Sequence, residues 1–195
     1  VIYTSDHGDM LGLHGCWGKQ LYHEASMAVP LLIAAPEGAR GAKCDRVVSL
    51  MDLFPTVCSM AGLPAPETVQ GVDASSLVYD PSGADPVRSF VPSAAYRYGV
   101  RINHGRVDES LASRAWRCVR DERWKYVEVE RGAQLLFDLE NDPWEMDNLA
   151  AERPDVAEDM AAILAENFDC EAIDARAKQY DKRSFREWRA QALKD

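Results

Sequence analysis

Val1-Ile2-Tyr3-Thr4-Ser5-Asp6-His7-Gly8-Asp9-Met10-Leu11-Gly12-Leu13-His14-Gly15-Cys16-Trp17-Gly18-Lys19 carries the strongest signal in the chain. Its first four residues are β-branched or aromatic and predict a buried strand, an inner member of a mainly parallel sheet. At the carboxyl end of that strand Asp6 and His7 stand side by side. Four glycines then let the chain turn tightly before Lys19. In open α/β sheets, ligands collect beyond the carboxyl ends of the strands. A carboxylate beside an imidazole there suits a divalent cation, and a nearby ammonium suits an anion. The plainer alternative for Asp6-His7 is an N-cap pair closing a strand-to-helix turn.

The composition is that of an ordinary globular protein: 195 residues, 47% hydrophobic and 28% charged, enough for one or two domains. A net charge of −10 argues against nucleic acid or an anionic membrane surface as the main partner. A small anion stays open, because one lysine and a metal outweigh the global sign locally. Cys16, Cys44, Cys58, Cys118 and Cys170 form no CxxC pair, and their odd number predicts reduced thiols. The expected compartment is the cytoplasm, with the periplasm as the alternative. No signal-peptide pattern occurs, and no apolar run nears the ~18 residues of a membrane-spanning helix. Val1 opens inside a strand without an initiator methionine, so the chain is expected to be the back half of a longer protein.

Residues 20–28 predict irregular chain or a short helical turn, and Val29-Pro30-Leu31-Leu32-Ile33-Ala34 a second buried strand. Residues 49–62 carry a helical pattern that Pro55 starts or kinks and Gly62 stops. Residues 64–86 read as surface loops, and Ser89-Phe90-Val91 as a further strand of the main sheet. Residues 96–113 show no period, and His104 among them is unassigned. From Ala115 the pattern changes. Strands near 116–120, 124–129 and 134–138, joined by short turns, predict an antiparallel meander. A helix over 154–168 should pack on it through Val156, Met160, Ile163, Leu164 and Phe168. A last charged helix is expected over 182–193. Phe185, Trp188 and Leu193 could dock it on a neighbouring subunit, so a homo-oligomer stays open.

Ser5-Asp6-His7-Gly8-Asp9-Met10-Leu11-Gly12-x-His14-Gly15-x-Trp17-Gly18-Lys19, followed by Tyr22-x-Glu24-Ala25 and Val29-Pro30-Leu31-Leu32-Ile33, resembles the distal active-site segment of sulfatases in the alkaline phosphatase superfamily. Further family landmarks are resembled by 47–56, by 70–77 and by Leu139-x-Asn141-Asp142-Pro143-x-Glu145-x-x-Asn148-Leu149, the segment that closes sulfatase chains. The resemblance spans roughly residues 1–165. It implies an α/β fold: the C-terminal part of an alkaline-phosphatase-like, mainly parallel sheet with helices over 1–114. A small antiparallel-sheet-and-helix subdomain over 115–195 follows.

The implied activity is that of a sulfuric ester hydrolase cleaving a small-molecule sulfate monoester. It uses a divalent metal and a formylglycine nucleophile made in a Cys-x-Pro-x-Arg context. None of the five cysteines stands in that context. The nucleophile, its arginine and the first metal-binding acids are therefore expected in the N-terminal part of the same protein, and the isolated chain should be inactive. By resemblance Asp6 and His7 are metal ligands. Many members carry Asn where His7 stands; choline-sulfatase-like and phosphonate-monoesterase-like relatives carry His. Imidazole favours manganese more than an amide does, so calcium and manganese both stay open. Lys19 matches the lysine that contacts a sulfate oxygen, a catalytic and substrate-binding role. His14 either lines the substrate pocket and assists the leaving oxygen, or is a satisfied loop histidine. His23 and Glu24 read as structural. The alternatives on the same residues are a phosphonate monoester hydrolase or phosphodiesterase, and an inactive fragment serving only as a folding module.

Overall fold

The computed structural model describes residues 1–19, 21–95, 102–103, 106–107, 115–129 and 132–192. Most of 96–113, with His104, and Leu193 lie outside them. The chain runs β1 (Ile2–Thr4), a 3₁₀ turn (Leu13–Gly15), α1 (Glu24–Met27), β2 (Leu31–Ile33), a 3₁₀ turn (Leu50–Asp52), α2 (Leu53–Met60) and α3 (Ser75–Tyr79). There follow β3 (Val91–Ala95), β4 (Ile102–Asn103), β5 (Arg106–Val107), β6 (Trp116–Arg120), β7 (Trp124–Val129), β8 (Ala133–Asp138), α4 (Pro154–Asn167) and α5 (Cys170–Ala192).

The larger sheet follows from alternation along 116–138. Its strands lie in the order β3-β6-β7-β8, all antiparallel. One face turns Val119, Tyr126 and Leu136 onto Ala157, Met160 and Leu164 of α4. The other turns Trp116, Cys118, Val127 and Phe137 onto Tyr22 and Met27. Because strand side chains alternate with period two, Lys125 shares the second face with Val127. The meander and its helix stand where the pattern put them. Pro154 starts α4 in its first turn, where its missing N–H costs nothing.

Two strands pair otherwise than the pattern alone suggests. Among the described residues β1 has no parallel partner. It pairs antiparallel with β2, Tyr3 opposite Leu32, in a two-stranded sheet of its own, with Tyr3 63% and Leu32 59% exposed. A short unbroken apolar run signals burial on both faces but not the direction of its partner. Val91 opens β3, which pairs with β6 in the C-terminal sheet, Val91 opposite Arg120, rather than joining β1. α5 begins at Cys170, well before 182, with Ala172 N–H donating to Asp169 Oδ1 (2.9 Å) at its start.

The landmark stretches 47–56 and 70–77 lock each other. Asp52 closes a capping box with Ser49 ahead of α2. Its carboxylate also accepts from Val72 N–H (2.8 Å) and is gripped by Arg88. Thr56 Oγ1 accepts from Ala74 N–H (2.9 Å). A Cβ on Gly71 would collide with the Met51 carbonyl, so only glycine lets the two stretches approach so closely. They hold α2 against the loop and α3.

Candidate active site

β1 delivers Asp6 and His7 into the loop that the glycines shape. His7 Nδ1 lies 2.7 Å from the Gly8 carbonyl oxygen. That oxygen can only accept, so Nδ1 carries the proton and Nε2 keeps its lone pair. Lys19 Nζ donates to Nε2 at 2.7 Å, and Asp6 Oδ2 lies 3.5 Å from the same nitrogen. Asp6, His7 and Lys19 thus meet at one point. The loop between them closes on itself: Met10 N–H donates to Gly18 O (2.9 Å), and Asp9 Oδ1 accepts from Leu11 N–H (2.9 Å). Asp9 thus serves the turn itself.

α1 holds this loop from behind. Gly8 N–H donates to Ser26 O at 2.9 Å, and a Cβ on Gly8 would collide with the Ala25 carbonyl. The trio opens on a cleft of about 740 Å³ whose wall includes Glu24, Ser26 and Arg120. Ser26 is buried, and its hydroxyl has no hydrogen-bond partner among the described residues. Arg120 Nε lies 3.2 Å from Glu24 Oε2.

His14 faces elsewhere. Its Nε2 lies 2.8 Å from the Trp144 carbonyl oxygen, and its ring stacks on His23 at 4.0 Å. It is not among the residues lining the cleft.

Sequence reasoning missed a buried charged cluster behind α1. Lys125, with no exposed surface, lies 3.1 Å from Glu24 Oε1 and 2.6 Å from Glu145 Oε1. Glu145 Oε2 accepts from Glu24 N–H (2.6 Å), and His23 Nδ1 lies 3.5 Å away. Burial alone would raise the Glu145 carboxyl, yet His23, Lys125 and the Glu24 N–H hold it below its ordinary value. One signal could have found the cluster: Lys125 alternates with Val127 and Val129 on the inward face of β7, where a charge needs a partner.

Two donors, Asp6 oxygen and His7 Nε2, converge as a metal needs, and the Gly8 carbonyl fixes the tautomer. Among the described residues no group of three or more His, Cys, Asp or Glu could hold an ion by itself. The residues present fit part of a coordination shell, since a hard divalent cation takes about six or more ligands.

A family model described as N-sulphoglucosamine sulphohydrolase, C-terminal, matches residues 12–169. Arylsulfatase K of Xenopus laevis is 32% identical over 195 residues, covering 97% of this chain and 35% of that protein. Choline-sulfatase of Rhizobium meliloti (strain 1021) is 34% identical over 195 residues, covering 95% of this chain and 34% of that protein. The solved phosphonate monoester hydrolase of Agrobacterium radiobacter superposes with a TM-score of 0.66 at 31% identity, over 85% of this chain and 34% of that one. The chain thus spans about a third of the length of each of these relatives.

Proposed function

The chain belongs to the N-sulphoglucosamine sulphohydrolase C-terminal family, and from that premise we propose that it is the C-terminal part of a sulfatase. The full-length protein would hydrolyse a small sulfate monoester by nucleophilic attack at sulfur. The observation that carries this reading is the meeting of Asp6, His7 and Lys19 at the mouth of one cleft.

Asp6 and His7 Nε2 would hold calcium or manganese together with acids from the preceding part of the protein. The metal, when bound, would draw electron density from the sulfate oxygens. Lys19 would supply an ammonium aimed at a non-bridging oxygen, where charge grows as the ester bond breaks. The single lone pair of His7 Nε2 cannot serve a metal and Lys19 at once. Metal binding would therefore release Lys19 toward the anion. The unpartnered Ser26 hydroxyl and the Arg120 edge of the cleft suit the organic group of the ester. The nucleophile, a formylglycine, would come from the residues that precede these, and the exposed Tyr3 and Leu32 suit a surface which that part covers. His14, bonded to Trp144 O, fits the satisfied loop histidine.

A second reading, phosphonate monoester hydrolysis, draws on His7 standing beside Asp6 and on the likeness to the Agrobacterium radiobacter enzyme. The test is steady-state turnover of 4-nitrophenyl sulfate and of a phenylphosphonate monoester by the full-length protein, with and without a chelator. A larger kcat/KM for the sulfate, lost on chelation and restored by calcium or manganese, supports the sulfatase. The reverse preference supports the second reading, and turnover of neither removes both.

A further inference from the structure

The segment that closes the chain's family resemblance, 139–150, takes no part in the chemistry above, yet Glu145 within it is placed under unusual constraint. Its backbone lies at φ 58, a left-handed conformation uncommon for any residue but glycine, Asn or Asp. Only 2% of its surface is exposed. Residues held this way persist where surrounding structure over-determines them, and they cluster at functional sites.

The surrounding bonds form a continuous line to the metal-ligand pair. Lys125 Nζ holds Glu145 Oε1 at 2.6 Å, and Glu145 Oε2 takes the Glu24 N–H at 2.6 Å. That contact caps α1, whose own N-cap residue, His23, supplies no side-chain cap. Ser26 of α1 accepts the Gly8 N–H at 2.9 Å. The Gly8 carbonyl in turn takes the His7 Nδ1 proton at 2.7 Å. A pair meant only for cohesion would be served as well by apolar side chains of the same volume; a fixed orientation would not.

We propose that Glu145, clamped by Lys125, is a positioning residue for the Asp6–His7 pair: it sets α1, and through Ser26 and Gly8 it sets the direction of the His7 lone pair. The inference rests on the reading of Asp6 and His7 as metal ligands. The C-terminal sheet is, on this account, part of the active-site machinery without touching substrate. Glu145 would reach a metal only through Glu24, Ser26, Gly8 and His7, so its loss should weaken metal binding rather than abolish it.

The experiment compares full-length wild type with Glu145→Gln, Glu145→Ala, the charge-neutral double variant Lys125→Met/Glu145→Gln, and Asp6→Ala. Three quantities are read: amide exchange at residues 5–10 and across 116–138, Mn²⁺ affinity by EPR, and 4-nitrophenyl sulfate turnover against Mn²⁺ concentration. Both single Glu145 variants should exchange faster at 5–10 with 116–138 unchanged, and should bind Mn²⁺ several-fold more weakly, short of the roughly tenfold or greater cost of losing a partner bonded directly to a metal ligand. Their lost turnover should return as Mn²⁺ is raised, which a general loss of structure would not allow. Unchanged exchange at 5–10 overturns the proposal. So does faster exchange spread equally over 116–138 in every variant, including the double one, because Glu145 would then be cohesive only. Should Asp6→Ala leave Mn²⁺ affinity untouched, the metal reading fails by itself, and exchange at 5–10 still decides whether Glu145 positions the loop.

Discussion

Lys19 Nζ donates to His7 Nε2 at 2.7 Å, and this bond occupies the only lone pair that His7 can offer a metal. The Gly8 carbonyl holds the other ring nitrogen in its protonated form, so tautomer exchange gives no escape. On the proposed reading, lysine and metal would compete for His7 in binding and act together in turnover.

Lys19→Met in the full-length protein should consequently bind Mn²⁺ more tightly while turning over sulfate more slowly. Removing one like charge at about 4 Å is worth about 1 kcal/mol even in water, or about fivefold in affinity. Titration followed by EPR measures it. Weaker Mn²⁺ binding in the variant would mean that Lys19 supports the metal instead of competing with it.

Asp52 is the second strong constraint, 2% exposed and shared between Ser49, Val72 and Arg88. Asp52→Ala strands a half-buried guanidinium and two backbone donors. It should lower unfolding free energy by about 3–5 kcal/mol, the range for breaking a buried pair from one side. Urea denaturation of wild type and variant gives the difference; a loss below about 1 kcal/mol would show that water replaces the carboxylate.

The Arg123 guanidinium binds both Asp138 oxygens, at 3.0 and 2.6 Å, and holds that carboxyl down at about 2 despite its partial burial. A folded-state value below the unfolded one contributes stability that is complete above about pH 4 and drains away as pH falls toward 2. Asp138→Asn should be less stable at neutral pH and show a shallower loss between those limits. Thermal melts from pH 7 to pH 2.5 would check it, and parallel curves for the two proteins would contradict it.

Burial pushes the Cys118 thiol up to about 12, whereas Cys44 is exposed. A thiol reagent at pH 8 should modify Cys44 in the folded protein and reach Cys118 only on unfolding. Under denaturing, non-reducing conditions all five thiols should count. Two or more missing would mean disulfides and an oxidising compartment.

What was legible in the sequence divides along physical lines. The meander and α4 could be read because periods of two and 3.6 are local, and Val119, Tyr126 and Leu164 obey them. The Asp6–His7–Lys19 pattern could be read because glycines and a strand end sit close together in the chain. The partner of β1 could not, since Val1-Ile2-Tyr3 looks the same for either strand direction. The Lys125–Glu145 pair could not either. The two stand about twenty residues apart among other charges, and only the folded sheet brings Glu24 from far upstream to join them. His14 shows the converse: the pattern set it near Asp6 and His7 in sequence, but its ring bonds to the carbonyl of Trp144, distant in the chain.

The turnover of 4-nitrophenyl sulfate by full-length Lys19→Ala, against wild type under saturating metal, tests the central claim most directly. Loss of one donor aimed at the transferring group should lower kcat about 10²–10³-fold. Lys19→Arg should not restore it fully, because a planar fork cannot replace a compact ammonium at a fitted oxygen. Near wild-type kcat in Lys19→Ala would contradict the assignment of Lys19, and with it the reading of this loop as the sulfate-binding edge of the site.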